Sequence, residues 1–126
     1  MTASGEFDVK LAAQLTQDKS LGRLLIDKQV RGDLTGSSKG EMLSAATEVK
    51  GSAGYVAIEK VTGALQGRSG TFVLQHSGTM NRGDGQLSVT VVPDSGTGEL
   101  QGIKGRMTIR IAGGKHSYEF EYSIEQ

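Results

Sequence analysis

The chain has 126 residues, with 14 basic and 14 acidic side chains, 19 glycines, one proline and no cysteine. Its length predicts one domain, residues 1–126, with a single hydrophobic core. The absence of cysteine excludes disulfides and thiolate metal sites, and the balanced charge provides no overall field for nucleic acid or an anionic membrane. No signal-peptide pattern opens the chain, and no apolar run approaches the roughly 20 residues of a membrane helix. We therefore expect a cytoplasmic protein.

Alternation of apolar and polar residues predicts eight strands. In chain order they centre on residues 7–11, 24–30, 42–46, 55–61, 72–76, 87–91, 107–111 and 118–124. Residues 12–20 are polar and unpatterned, which predicts a long first connection. Pro93 lacks a backbone donor and keeps Val92 extended, so the sixth strand should end there.

A repeated pattern punctuates these strands. Gly-x-Leu-x-Gly begins at Gly32, Gly63 and Gly98, and each copy is followed, after two or three intervening residues, by another glycine. Glycine adopts positive φ without a Cβ clash, as tight reversals require. We therefore predict three hairpin corners, each with one strand ending on the leucine and the next beginning past the third glycine.

The short connections predict antiparallel neighbours and an all-β fold. We favour a closed eight-stranded antiparallel barrel, which removes exposed edges and leaves an interior wide enough for one small ligand. A two-sheet β-sandwich is the alternative. The fourth strand has apolar residues on both faces, with Val56 and Ile58 opposite the face of Tyr55 and Ala57. This pattern predicts a subunit contact, and hence a homo-oligomer.

Five runs in order resemble a bacterial family of uncharacterised single-domain proteins, a domain of unknown function. The runs are 32–43, 51–59, 70–76, 92–100 and 116–122. That family's fold is similar to the allene oxide cyclase and dirigent barrels, which steer a reactive substrate inside a mostly apolar cavity. The resemblance implies an eight-stranded barrel with an interior cavity and a tendency to oligomerise. It implies no activity and carries over no site residue.

Alternation places two polar groups, Glu59 and His76, on an apolar face, and these are the candidate catalytic residues. We expect burial to raise the pKa of a cavity carboxylate and suit it to acid–base work, with a histidine beside it as ion-pair partner or proton shuttle. In the alternative, Glu59 caps a strand end or pairs with a lysine across the sheet, and His76 is structural. The candidate ligand-binding residues are Glu41, Tyr55, Phe72, Leu74, Tyr118, Phe120 and Tyr122. Glu41 equally fits a solvated face, and Tyr55 and Tyr122 equally fit core aromatics.

The sequence does not indicate a metal site, a phosphate-binding loop or a nucleophilic serine. Two histidines 40 positions apart, without cysteine, do not predict a transition-metal site, and no phosphate loop or nucleophile elbow is present. The leading hypothesis is a barrel that binds a small hydrophobic molecule without a resident cofactor and without nucleic-acid or membrane partners. The alternatives are a cyclase- or isomerase-like enzyme using Glu59 or His76, and a filled structural barrel with no ligand.

Overall fold

A computed structural model describes residues 1–125 as a closed barrel in which each strand pairs antiparallel with the next and β1 pairs with β8. The strands are β1 Thr2–Gln14, β2 Leu21–Gly32, β3 Leu34–Ala46, β4 Ala53–Leu65, β5 Arg68–Asn81, β6 Asp84–Val91, β7 Ile103–Ala112 and β8 Lys115–Ile124, with a short 3₁₀-helix, Gly98–Leu100, before β7. The predicted eight-stranded antiparallel barrel is confirmed, and the sandwich is excluded. Among residues 1–125 no helix has the length and apolarity needed to cross a membrane.

The prediction of three equivalent hairpin corners is wrong at the first and third copies of the pattern and is only partly right at the second. At the second copy, β4 ends on Leu65 and a Gln66-Gly67 turn follows, but β5 begins before Gly70 rather than after it. At the first copy the reversal comes earlier, at Asp33, so that Leu34 begins β3. The third copy forms the 3₁₀-helix.

Gly40 shows why a glycine in this pattern need not be a turn residue. It lies inside β3 opposite Glu59 of β4, and a Cβ there would lie 2.6 Å from the Glu59 Cα atom. Close backbone approach, rather than positive φ, is what requires glycine at this position.

One end of the barrel is sealed by its own side chains, and we call it the closed end. The segment 92–102, which joins β6 to β7, runs along β5 toward this end, and its Thr97 N–H donates to the Thr71 carbonyl at 2.8 Å. This segment inserts Leu100, which is fully buried. Around it pack Ala3, Leu34, Leu65, Phe72, Ile103, Phe120 and Tyr122. Stacked rings fill the centre, with the Phe72 and Phe120 centroids 5.7 Å apart.

The opposite end, the open end, has no comparable covering segment within residues 1–125. Its connections are the loops at 15–20 and 47–52 and the tight turns at 82–83 and 113–114. Inward-facing positions that would be buried at the closed end are here exposed to solvent. They include Leu11, Met80, Leu87 and Ile111, which are 47–68% exposed.

A seam between β6 and β7 leads to this open end. These strands register only at Thr90 opposite Arg106, whereas β4 pairs with β3 and β5 along its whole length. The strand segments beyond that position, toward the open end, are not paired with each other. The barrel is therefore tightly built on the β2–β5 side and loosely closed on the β6–β7 side.

Candidate functional site

A buried polar cluster lies inside the barrel, centred on Glu59 of β4. Its Oε2 atom lies 2.8 Å from Nζ of Lys28 on β2 and 2.9 Å from Nε2 of His76 on β5, and its Oε1 accepts a 3.0 Å hydrogen bond from the Ser38 hydroxyl of β3. All four residues are less than 10% exposed. Four consecutive strands thus each contribute one polar group to an otherwise apolar interior.

Sheet register explains how these residues meet. Inward-facing positions are two residues apart, and cross-strand pairing sets Lys28 opposite Ser38, Gly40 opposite Glu59 and Ala57 opposite His76. The Lys28 side chain on β2 reaches past β3 to the carboxylate on β4. Its ammonium also lies 4.7 Å from the Phe7 ring centroid.

His76 lies close to the Glu59 carboxylate, but one of its ring nitrogens lacks a hydrogen-bond partner. Although Nε2 lies 2.9 Å from Glu59 Oε2, the two groups are not aligned as a hydrogen bond, so this buried nitrogen has no hydrogen-bond partner among residues 1–125. We therefore describe the contact as an electrostatic one. The Tyr55 ring lies beside the imidazole, with the centroids 6.4 Å apart. Native proteins rarely leave buried polar atoms unpaired, so this atom marks a site of interest.

The expectation that burial raises the pKa of Glu59 is wrong. Burial does push this pKa upward, but the close His76 nitrogen and the positive charge of Lys28 lower it by more, to about 2. Glu59 is therefore ionised at neutral pH. Its chemical capacity is to stabilise and orient positive charge on its neighbours, not to donate a proton. The same burial raises the pKa of the Tyr55 hydroxyl, with a smaller contribution from the Glu59 charge.

The predicted site residues fall into three places. Glu59, His76 and Tyr55 lie together at the cluster. The predicted ligand-binding residues Phe72, Leu74, Tyr118, Phe120 and Tyr122 are buried in the hydrophobic core. The tyrosine hydroxyls have partners there. That of Tyr118 accepts the Leu34 N–H at 3.0 Å and donates to the Arg31 carbonyl at 2.9 Å, and that of Tyr122 donates to the Gln66 side chain.

Glu41 lies on the outside of the barrel, exposed, and accepts hydrogen bonds from Arg23. Two members of the cluster, Lys28 and Ser38, were not among the predicted site residues. Lys28 carried a readable signal, because it is the one charged residue on the Leu24, Ile26 and Val30 face of its strand. Ser38 stands in a run of glycine, serine and lysine without apolar alternation, so its inward direction had no sequence signal.

The geometry of the cluster does not indicate a metal site. Within the described part of the chain, residues 1–125, no group of three or more His, Cys, Asp or Glu side chains is placed to hold a metal ion. The cluster instead combines one anion, one cation, one imidazole and one hydroxyl in contact. Such a set can hold a polar group of a ligand or move a proton at the imidazole.

Fold and cluster together define a closed antiparallel barrel with an internal ion pair and with exposed apolar side chains at its open end. The chain belongs to the DUF3224 family of proteins of unknown function, whose family model matches residues 3–122. It is similar to a crystal structure of a DUF3224-family protein of unknown function from Shewanella oneidensis MR-1, with 50% sequence identity and a TM-score of 0.96. The match covers 100% of this chain and 98% of that one. No curated protein matches the chain.

Proposed function

We propose that the protein binds a small, mainly hydrophobic molecule in the open end of the barrel, with the buried polar cluster as the floor of the site. The observation that carries this proposal is the contrast along the barrel axis. Inward-facing apolar side chains are fully packed at the closed end, yet Leu11, Met80, Leu87 and Ile111 are left exposed at the open end. Ligand pockets typically pair such an apolar wall with a few convergent polar groups.

The polar end of the ligand would meet the cluster at His76. Its imidazole lies on β5 opposite Val89 of β6, directly below Leu87. Its buried Nε2 has no hydrogen-bond partner among residues 1–125. A carbonyl or hydroxyl on the ligand would supply the missing partner. The β6–β7 seam beside Leu87, where the strands are paired only at Thr90, is the entry that we propose for such a molecule.

We propose also that the barrel is similar to the allene oxide cyclase and dirigent barrels, as the sequence motifs suggested. Those barrels steer a reactive substrate in a mostly apolar cavity, which agrees with an apolar wall above a small polar floor. Shared architecture does not transfer a substrate. The ligand class we infer therefore comes from the exposed apolar wall and the cluster alone.

Fluorescence titration with N-phenyl-1-naphthylamine, a neutral apolar dye, tests the proposal. Leu87→Glu should weaken dye binding roughly tenfold or more, since it places a charge in the apolar wall. Ser88→Glu is the matched control, because it adds the same charge at the neighbouring, outward-facing position of β6. Unchanged binding in Leu87→Glu, or an equal loss in both variants, would contradict a site inside the barrel. Native mass spectrometry of the purified protein would identify any retained ligand by mass.

A second candidate function is proton transfer by His76 on such a ligand. It is favoured by the ionised Glu59 carboxylate 2.9 Å from Nε2, which would stabilise a positively charged imidazole while Nδ1 exchanges a proton with the substrate. In this role His76 is the catalytic residue and Glu59 a positioning residue. The pKa of Glu59 argues against the carboxylate itself as the acid.

Deuterium incorporation into 2-decalone, an apolar enolisable ketone, tests this second function in D2O by mass spectrometry. Exchange should be faster with the native protein than with His76→Gln. Gln75→Ala is the control, because Gln75 is the neighbouring residue on β5 but is exposed and faces outward. Equal exchange with and without the His76 imidazole would exclude proton transfer to this substrate class and leave the binding proposal intact.

A further inference from the structure

The outer face of strands β2–β5 carries a patch of apolar side chains that the barrel does not use. Its members, which we call the outer patch, are Leu25, Leu43, Val56 and Ile58, all 40–53% exposed. They are neighbours by register, with Leu43 opposite Val56, and with Leu25 and Ile58 on either side of Glu41. Contiguous exposed apolar side chains of this kind mark interaction surfaces more often than isolated ones do.

The surface here is grooved rather than evenly convex. One surface cavity of about 510 Å³ is lined by Leu43, Val56 and Ile58 together with Arg23 and Glu41. A second, of about 450 Å³, is lined by Leu21, Leu43 and Val56. Both cavities border Leu43 and Val56, and we call the two together the depression, which protruding side chains of a partner would fill.

The charges within the patch identify the partner. Arg23 and Glu41 form one ion pair of opposite sign, 2.6 Å apart and about half exposed, in the middle of the apolar side chains. The neighbouring outward positions on β5, Gln75 and Ser77, are neutral. A patch with one cation beside one anion complements itself when a second copy is rotated by 180°. The chain has a formal net charge of zero, so two copies do not repel each other overall.

We propose that the outer patch is the interface of a two-fold symmetric homodimer. In this arrangement the apolar side chains of one subunit fill the depression of the other. Arg23 of each subunit then pairs with the partner subunit's Glu41, in place of or in addition to its own. The interface lies outside the barrel wall, so it leaves the open end accessible in both subunits and does not depend on the proposed ligand site.

Sedimentation equilibrium of the full chain tests the dimer. The native protein should sediment as a dimer at micromolar concentration, and Val56→Asp should raise the dissociation constant about tenfold or more. Val49→Asp is the matched control. Val49 is a valine of similar exposure in the 47–52 loop, outside the patch, and its substitution should leave the dimer intact. Circular dichroism checks that each variant is folded.

A charge exchange gives a sharper result. Arg23→Glu alone and Glu41→Arg alone should each be monomeric, since each sets like charges against each other across the two-fold axis. Mixing the two variants should restore a dimer containing one copy of each, and Arg23→Glu/Glu41→Arg in one chain should restore the homodimer. A native monomer, or a dimer that Val56→Asp and the single charge reversals leave unchanged, would overturn the proposal.

Discussion

The two ends of this barrel are built from the same strands by the same alternation, yet they differ in what covers their inward-facing residues. At the closed end, segment 92–102 follows β5 and buries Leu100, which has no exposed surface. At the open end Ile111, also inward-facing and apolar, is 68% exposed. A single covering segment accounts for this difference. Strand patterning alone makes a barrel wall, whereas a connection long enough to fold inward makes a sealed core.

The polar cluster lies where the sealed half meets the open half. Below it, Val61 and Phe72 are fully packed; above it, Tyr55 and Leu87 border the mouth. A charged group placed at such a boundary is desolvated enough to interact strongly with its neighbours, and close enough to the opening to meet a small molecule. The comparison of the two ends therefore predicts different responses to substitution, beginning with the boundary itself.

The largest effect is expected from Glu59→Gln, which removes the only carboxylate of the cluster. Lys28 would be left buried without its counter-ion, and the unfolding free energy in urea should fall by about 3 kcal/mol or more. Glu125→Gln is the control, because Glu125 forms a comparable ion pair with Lys104 at the exposed surface. The control should change stability by less than about 1 kcal/mol. Equal losses of unfolding free energy in both variants would show that burial does not strengthen the contacts of Glu59 with Lys28 and His76.

The next prediction compares the two ends directly. Leu100→Ala should cost about 2–5 kcal/mol, because it opens a cavity in a fully packed core. Ile111→Ala should cost under about 1 kcal/mol, since most of that side chain is already in water. Urea denaturation measures both. A large loss in Ile111→Ala would mean that the open end is packed in solution, and would contradict the proposed binding site as well.

The pH dependence of stability isolates the contribution of Glu59. Its pKa is about 2 in the folded protein against 4.5 for the ordinary carboxyl, so the unfolded chain takes up the proton first as the pH falls. The stabilisation is therefore fully present above about pH 5 and is lost between there and pH 2, by an amount on the order of 3 kcal/mol. The pKa values of the exposed Asp8 and Asp18 are also lowered. These two residues therefore add to the pH dependence of stability both in the native protein and in a variant of Glu59.

Glu59→Gln serves again as the reference for this titration. The stability difference between the native protein and Glu59→Gln should be greatest near pH 7 and should shrink steadily toward pH 3. Subtraction cancels the contributions of Asp8 and Asp18. A difference that stayed constant with pH would mean that Glu59 is not held ionised by Lys28 and His76.

The alternation of apolar and polar residues determined how much of the fold could be predicted from the sequence. The period of two identified eight strands and the correct inward face of β4 and β5, because one buried face leaves a strong signal at each position. The glycine pattern misled because glycine serves two purposes here. At Gly67 it provides the positive φ of a turn, whereas at Gly40 it provides close backbone approach inside a strand. Sequence spacing does not distinguish the two.

Prediction of the cluster had a similar limit. Glu59 and His76 were found because each interrupts an apolar face. Lys28 interrupts a face in the same way, but its contact with Glu59 spans two strand spacings, from β2 to β4. The sign of the Glu59 pKa shift depends on that contact, so it could not follow from burial alone. Long-range side-chain geometry, not strand assignment, set the limit.

The smallest effect we predict concerns the β6–β7 seam, measured by hydrogen exchange with mass spectrometry. Peptides from β6 should exchange at least about tenfold faster than those from β4, because β4 is paired along both edges and β6 is paired with β7 only at Thr90. Saturating N-phenyl-1-naphthylamine should slow exchange in β6 and leave β4 unchanged, since Leu87 lies on the wall that would contact the dye. Dye binding without any change in β6 would locate the dye elsewhere, whereas equal exchange of both strands without dye would show that the seam is closed in solution.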